Sequence, residues 1–281
     1  MWSAATEPTW PRPAPPAPLP WRSRLAPAHA LWWHPDGLWD HGPQGLPRRQ
    51  ADAAARPQHH ASLADWAAGR RGQAARLWLS SAGLHDLLIE AGLPLADDAA
   101  LLRYARTVLQ HYHGDAAAGW PLAAWQAAGA RGVTALHGIA LDSLQSCLRV
   151  AGVALRSVRP AWCQALAVAA RRQPALLRDD STRLLVVEGA RLTQLDLAQG
   201  RLVGLQHRRV TEASLAGLID WVASHPVPLC IALGHGLVAP LPASDGPASL
   251  PPGLTLLGTL SSPVPCAGWW SAAGQRPQAA S

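Results

Sequence analysis

Six residues in glycine-containing turns have the chemical types that could hold a nucleotide. They are Asp36, Gly37, Glu188, Gly189, Thr193 and Gly234. Phosphate binding needs closely approaching backbone N–H groups, which favours glycine, and the accompanying Mg²⁺ needs a carboxylate. Ordinary hairpin turns have the same composition, however. The chain also contains neither the P-loop motif nor the dinucleotide-binding glycine motif.

Other kinds of site chemistry have less support. The chain has 12 histidines, among them the adjacent His59 and His60 and the pair His111 and His113. Zinc ligands on a helix need a spacing such as i, i+4, which neither pair has. Ser80-Ser81 lacks the GxSxG frame of a serine hydrolase. We therefore expect no metal site and no catalytic residue.

The turns are set in a pattern of hairpins followed by helix–strand alternation, and this pattern occurs twice. Residues 183–209 predict three strands joined by turns at Glu188-Gly189 and Gln199-Gly200, with a helix after Thr211. Pro35-Asp36-Gly37 predicts a turn between two aromatic strands, and residues 43–60 are interpreted as a loop.

Between these segments, residues 76–91 predict two strands around Ser80 to Gly83, and 120–125 and 132–137 predict two more. Asp97 and Asp98 predict the start of a helix that ends near His111. Its apolar stripe would be Leu101, Ala105, Val108 and Tyr112. Later segments predict a helix from Leu141, a strand at 153–158, a helix after Pro160, and strands at 228–233 and 254–260.

Composition limits the class of partner. The net charge is +6, and all 24 basic residues are arginine, scattered as pairs. Lys, Asn and Phe are absent while Ala, Gly, Pro and Arg abound, so a GC-rich gene explains the basic balance better than nucleic-acid binding does. Four separated cysteines, with no signal peptide and no apolar stretch of membrane-spanning length, predict a cytoplasmic protein.

Fourteen tryptophans indicate interaction surfaces, because exposed Trp often anchors protein interfaces. The candidates for partner contact are Trp10 and Trp21 in the Pro-rich N-terminal arm, and Trp32 and Trp33 beside the first turn. Codon bias toward G-rich codons explains the same abundance equally well. Trp78, Trp162 and Trp221 are expected to lie in the core.

The middle of the chain resembles the actin-like cytoplasmic domain shared by type IV pilus assembly protein M and type II secretion protein L. The resemblance covers about residues 76–235. It lies in Arg76–Glu90, the leucine-rich helix ending in Tyr112-His113-Gly114, Ala154–Pro160 and the hairpin Leu184–Leu197. It implies an α/β fold of two actin-like (ribonuclease H-like) lobes with mixed sheets.

The resemblance also implies domain boundaries and a role. We expect a Pro-rich disordered arm at 1–27, a first lobe at 28–158, a second lobe at 159–260 and a disordered tail at 261–281. The role would be that of a scaffold in the inner-membrane platform of a pilus or secretion machine. The scaffold would bind the cytoplasmic tail of a bitopic partner, with peripheral attachment to the inner membrane through that partner, and self-association is left open.

Two departures from the family pattern argue against nucleotide hydrolysis. Family members that bind ATP have an Asp-x-Gly-Ser type of first turn, whereas here Leu38 and Trp39 follow Gly37. The second turn has a single glycine, followed by Ala190 and Arg191. We therefore expect a scaffold without cofactor. The alternatives are an ATPase with Mg-ATP between the lobes and an Arg-rich nucleic-acid-binding protein.

Overall fold

The chain folds as an α/β protein whose elements follow the predicted order. The computed structural model describes residues 28–35, 37–44, 58–172, 174–175, 179–188, 191–209, 229–233 and 254–259. Contacts between residues divide the chain into two compact units, Met1–Ala161 and Trp162–Ser281. The predicted helix after Thr211, with Trp221, lies outside the described residues.

The first unit is built on a five-stranded sheet with the order β3-β2-β1-β4-β8. Strands β1, β2 and β3 pair antiparallel, while β1, β4 and β8 run parallel. The strands are β1 (Ala28–His34), β2 (Gly37–Gln44), β3 (Gln58–His60), β4 (Ala74–Leu79) and β8 (Ala154–Pro160).

Two helices share a core with this sheet, α1 (Leu63–Ala67) and α3 (Leu141–Val150). Helix α4 (Ala161–Arg172) begins at the last residue of the first unit and continues in the second. Ser62 caps α1 by accepting a hydrogen bond from the Asp65 N–H. The core of the unit joins the apolar sides of the sheet strands to α1 and α3, with Trp66, Leu77 and Leu148 fully buried. Residues of β1, β2, β4, β8, α1 and α3 therefore form one hydrophobic cluster.

A smaller antiparallel sheet with the order β5-β7-β6 lies between β4 and β8 in the sequence. Its elements are β5 (Leu84–Ile89), α2 (Asp98–His113), β6 (Leu122–Ala127) and β7 (Ala130–Leu136). Short 3-10 turns at Ser81–Gly83 and Gly114–Gly119 precede β5 and follow α2. Helix α2 packs its buried side on this sheet around a separate core.

The second unit repeats the five-stranded arrangement with the order β11-β10-β9-β12-β13. Strands β9, β10 and β11 pair antiparallel, while β9, β12 and β13 run parallel. The strands are β9 (Thr182–Glu188), β10 (Arg191–Ala198), β11 (Arg201–Arg209), β12 (Leu229–Leu233) and β13 (Leu254–Thr259). Gln199 and Gly200 join β10 to β11 with positive φ angles of 50° and 77°, as a type I′ hairpin requires.

Both units therefore have the strand order 3-2-1-4-5 with only the second strand antiparallel to its neighbours. This duplicated topology is the actin-like fold. The predicted fold class is confirmed, as are the hairpins at 35–37 and 183–209 and the strand pairs at 76–91 and 120–137.

Two details of the sequence interpretation are wrong. Residues 43–60 contain strand β3 and the end of β2, because a three-residue edge strand rich in His carries no apolar alternation. In α2 the buried residues are Leu101, Ala105 and Leu109, while Tyr112 is 75% exposed. The buried stripe therefore has the spacing i, i+4, i+8, and not the predicted spacing i, i+4, i+7, i+11.

Candidate functional site

In the first candidate turn, strand β3 lies close to one side of Gly37. Gly37 pairs with His34 across the hairpin and has φ +147°. A Cβ atom at Gly37 would collide with Nε2 of His59 and approach the His60 carbonyl oxygen to 3.1 Å. The glycine is therefore required by the close approach of β3, which is a structural role.

Aromatic rings surround the same turn. Trp39 packs edge to face against His34 and His59, with ring centroids 6.3 Å and 4.9 Å apart. Leu38 is fully buried. Leu38 and Trp39, which follow Gly37, thus contribute to packing. Asp36, which precedes Gly37, lies outside the described residues.

The second candidate turn places a buried carboxylate and a buried hydroxyl on one face of the sheet. Glu188 lies opposite Arg191, and Thr193 is two residues further along β10, so the three side chains share a face. Glu188 and Thr193 are each 1% exposed. Thr193 Oγ1 lies 3.0 Å from Nδ1 of His207 on β11, so the hydroxyl is engaged within the sheet.

Several predicted site residues lie outside the described residues, namely Gly189, Gly234, Trp10 and Trp21. Of the remaining partner candidates, Trp32 is 2% exposed and offers little surface to a partner. Trp33 is half-buried and lines a cavity. The part of the chain that is described contains no group of three His, Cys, Asp or Glu side chains able to hold a metal. Nor does any helix within it have the length and apolar character to cross a membrane.

The cavity beside the first turn has a volume of about 290 Å³ and was not predicted. Its lining is Trp33, His34, Pro35, Gly37, Leu38, Ala61, Ser62, Leu63, Ala64, Ser143, Leu144 and Cys147. It lies at the carboxyl end of β1, which is the edge where ligands bind in open α/β sheets. The walls are mainly apolar, and burial raises the pKa of the Cys147 thiol, so they favour an apolar group over a phosphate.

A buried carboxylate on β2 fastens α1 to the hairpin, and the sequence pattern did not reveal it. Asp40 accepts hydrogen bonds from Trp66 Nε1 at 2.8 Å and the Gly42 N–H at 2.7 Å, and His29 Nδ1 lies 2.9 Å away. Burial raises the pKa of Asp40, but the hydrogen bonds with His29, Trp66 and Gly42 outweigh it and lower the pKa to about 2. Asp40 is therefore ionised in the folded protein at neutral pH.

A second polar cluster lies on the meander of the second unit. Arg183 Nε donates to Asp196 Oδ1 at 2.6 Å, and Gln194 Nε2 donates to Asp196 Oδ2 at 2.7 Å. A Cβ at Gly204 would approach Asp196 Oδ2 to 2.9 Å, so the glycine makes room for the carboxylate. This cluster joins β9 and β10 beside the position where the β10–β11 pairing shifts register.

Three histidines cluster on the small sheet around a tryptophan. His85 stacks on Trp120 with ring centroids 4.8 Å apart, and His113 and His137 lie 4.3 Å and 5.2 Å from His85. His113 and His137 are exposed. Sequence spacing could not show that they meet, because α2 and β5 supply one ring each and the third follows β7.

Comparison with known proteins gives distant structural matches. No protein-family model matches the chain, and no curated protein matches it. Among solved structures, the chain is similar to the cytoplasmic domain of EpsL, an inner membrane component of the type II secretion system of Vibrio cholerae. The identity is 12%, the match covers 82% of this chain and 85% of that one, and the TM-score is 0.46.

Two further matches are similar in quality. One is the PilM-PilN type IV pilus biogenesis complex, with 14% identity, coverage of 74% and 82%, and a TM-score of 0.47. The other is a protein of Bacteroides thetaiotaomicron with an actin-like ATPase fold and unknown function, with 9% identity, coverage of 78% and 84%, and a TM-score of 0.44. The first two matches belong to the families that the sequence resembles.

Proposed function

We propose that this protein is a non-catalytic actin-like scaffold of a pilus or secretion inner-membrane platform, which binds the cytoplasmic tail of a bitopic partner. The sequence resemblance over residues 76–235 supports the platform. The observation that carries the non-catalytic part is the crowding of Gly37 by His59 and His60. A phosphate would have to approach the backbone at this glycine, and the side where a Cβ would stand is already filled.

The second turn supports the same proposal. The hydroxyl of Thr193 is buried and engaged with His207, so it is not directed to an incoming phosphate. Glu188 lies opposite Arg191 and is buried, so a hydrated Mg²⁺ has little access to its carboxylate. The protein would act by presenting surfaces to its partner, and it would need no cofactor.

Partner binding is tested with the cytoplasmic tails of single-span membrane proteins encoded beside this gene. Each tail, made as a labelled peptide, is titrated with the full chain, and fluorescence anisotropy is measured. We expect one tail to bind saturably, with a scrambled tail of the same composition as the matched control. Equal binding of the tail and its scrambled form would contradict the proposal.

The absence of a nucleotide role is tested separately by thermal unfolding with and without Mg-ATP. A ligand that binds only the native state must raise the unfolding temperature by mass action. We expect no rise. A rise of several degrees that disappears in Glu188→Ala would instead support the ATPase alternative.

A further inference from the structure

We propose that strand β11 is a docking edge that takes up an acidic, extended peptide segment by strand addition. This inference rests on the proposed function, in which the bound segment belongs to the partner's cytoplasmic tail. Within the described part of the chain, β11 is hydrogen-bonded to β10 alone. An edge strand presents backbone N–H and C=O groups along its outer side, which are a template for another strand.

The regular part of this edge is long enough for recognition. Residues Gly204 to Arg209 pair without interruption with Asp196 to Arg191. Val203 is an extra residue at the bulge that separates this run from the hairpin turn, and it is 57% exposed. The added segment would therefore lie along the six residues from Gly204 to Arg209.

The corresponding edge of the first unit lacks this capacity. Its third strand, β3, has only three residues and pairs with Leu38, Trp39 and Asp40. Very short edge strands prevent edge-to-edge association. The two units thus differ at the same position of the same topology, and only β11 is long enough to hold a peptide.

The charges around β11 favour an acidic occupant. Arg208 and Arg209 are exposed, and Arg191 lies directly opposite Arg209. Arg208 donates to the side chain of Gln206 at 2.9 Å. None of these three arginines forms an ion pair with a carboxylate among the described residues, and the nearby Asp196 carboxylate is held by Arg183.

The opposite end of β11 carries Arg201 together with two aspartates, so its charge is less positive than that of the end at Arg209. At the β10–β11 turn, Gln199 donates its N–H to the Asp179 carbonyl at 3.0 Å and its side-chain amide to Asp180 Oδ1 at 3.3 Å. Both aspartates are exposed. Acidic residues of the partner would therefore lie toward Arg209 and away from the turn.

A second copy of this chain fits the edge less well. Antiparallel self-pairing along Gly204 to Arg209 would place Arg209 opposite Gly204 and Arg208 opposite Leu205. The arginines of both copies would then have no carboxylate opposite them. Opposite-charge pairs on neighbouring strands are stabilising, so the arginines favour a segment that supplies carboxylates.

The test uses three labelled hexapeptides with the full chain: alternating Glu and Val, alternating Lys and Val, and the Glu form with its central Val replaced by Pro. We expect the Glu–Val peptide to bind at least tenfold more tightly than the Lys–Val peptide, as measured by fluorescence anisotropy at low salt. The Pro form should lose binding, because it lacks one of the N–H groups that strand addition uses. Equal binding of the Pro form would show plain charge attraction and overturn the proposal.

The site is located with paired variants. Arg208→Glu with Arg209→Glu should abolish the preference for the Glu–Val peptide. The matched control, Arg103→Glu with Arg149→Glu, makes the same charge change at exposed helix positions of the first unit and should leave at least half of the preference. Circular dichroism confirms that both variants fold. An equal effect of both variants, or no binding of any peptide, would overturn the proposal.

Failure of this inference can be told apart from failure of the proposed function. A partner tail that binds the full chain saturably, but is indifferent to Arg208→Glu with Arg209→Glu, would leave the scaffold role standing and reject β11 as its site. Binding of the Glu–Val peptide at β11, with no membrane-protein tail bound, would support the edge and contradict the platform role.

Discussion

The second strand of each sheet carries an aspartate bonded to a residue of the first strand, and the two sites differ in burial. In the first unit, Asp40 on β2 is 5% exposed and takes hydrogen bonds from α1 and from its own strand. In the second unit, the side chain of Asp196 on β10 is 26% exposed, and its bonds come from β9 and β10. The aspartate at this position thus binds helix α1 in the first unit, whereas in the second unit it links two strands of the sheet.

The third strands of the two five-stranded sheets, β3 and β11, differ in length. Strand β3 is three residues long and is pressed against Gly37, whereas β11 has nine residues and a bulge at Val203. The first unit therefore uses this position for packing at its hairpin. Among the described residues, the second unit leaves the outer side of β11 unpaired. Equivalent places in the duplicated fold therefore differ in strand length.

The largest expected effect is the loss of Asp40. Asp40→Ala leaves the buried Trp66 N–H and His29 without their acceptor, and we expect the free energy of unfolding to fall by about 4 kcal/mol. Asp196→Ala should cost about 1 kcal/mol or less, because the pair with Arg183 is partly solvated. Urea denaturation measures both. Equal losses would show that the two aspartates are equivalent after all.

The next effect concerns the crowded glycine. Gly37→Ala adds a Cβ that collides with His59, and we expect a loss of about 3 kcal/mol in unfolding free energy. Gly72→Ala is the matched control, since Gly72 has φ +84° but open space around its Cβ position, and it should cost about 1 kcal/mol. Adding His59→Ala to Gly37→Ala should recover part of the difference. If stability is not recovered, the loss in Gly37→Ala does not come from the collision with His59.

A smaller effect is the acid sensitivity of the first unit. The folded pKa of Asp40 is about 2, below its ordinary value of 3.8, so its contribution is present above pH 3.8 and is lost as pH falls toward 2. The contribution at neutral pH is about 2 kcal/mol. The difference in unfolding free energy between the native chain and Asp40→Asn should shrink over this pH window. A difference that stays constant would show that Asp40 is not held ionised by its neighbours.

The smallest effect is expected at the edge of the second unit. Val203→Thr changes an exposed bulge residue and should alter the unfolding free energy by no more than about 0.5 kcal/mol. Leu109→Ala in α2, where the side chain is 5% exposed, serves as the contrast and should cost about 3 kcal/mol. A large loss for Val203→Thr would mean that β11 is covered, and the contrast between the two third strands would fail.

Local patterns gave most of the fold but less of the site. The turns at Pro35–Gly37 and Gln199-Gly200 depend on residues adjacent in sequence, and so does the Asp97 cap, whose side chain accepts from the Ala100 N–H. Strand β3 was missed because its pairing with β2 is a contact across a long connection. The Asp40 bond to Trp66 spans 26 residues, and no spacing rule relates the two.

The candidate phosphate turns show the same division. Their residue types were visible in the sequence, and so were the bulky Leu38 and Trp39 that argue against phosphate. The filling of the space beside Gly37 by His59, and the engagement of Thr193 by His207, were not visible. These contacts join separate strands, and they depend on the register of β2 against β3 and of β10 against β11.

By itself the sequence determined the order of the elements, their turns and the duplicated pattern, because hydrophobic periodicity and glycine placement act over a few residues. Only the tertiary structure decided which of two equivalent strands is short and which is long, and which polar groups are buried together. Those properties arise from pairing and packing between distant segments, where the energy depends on distance and on exclusion of water.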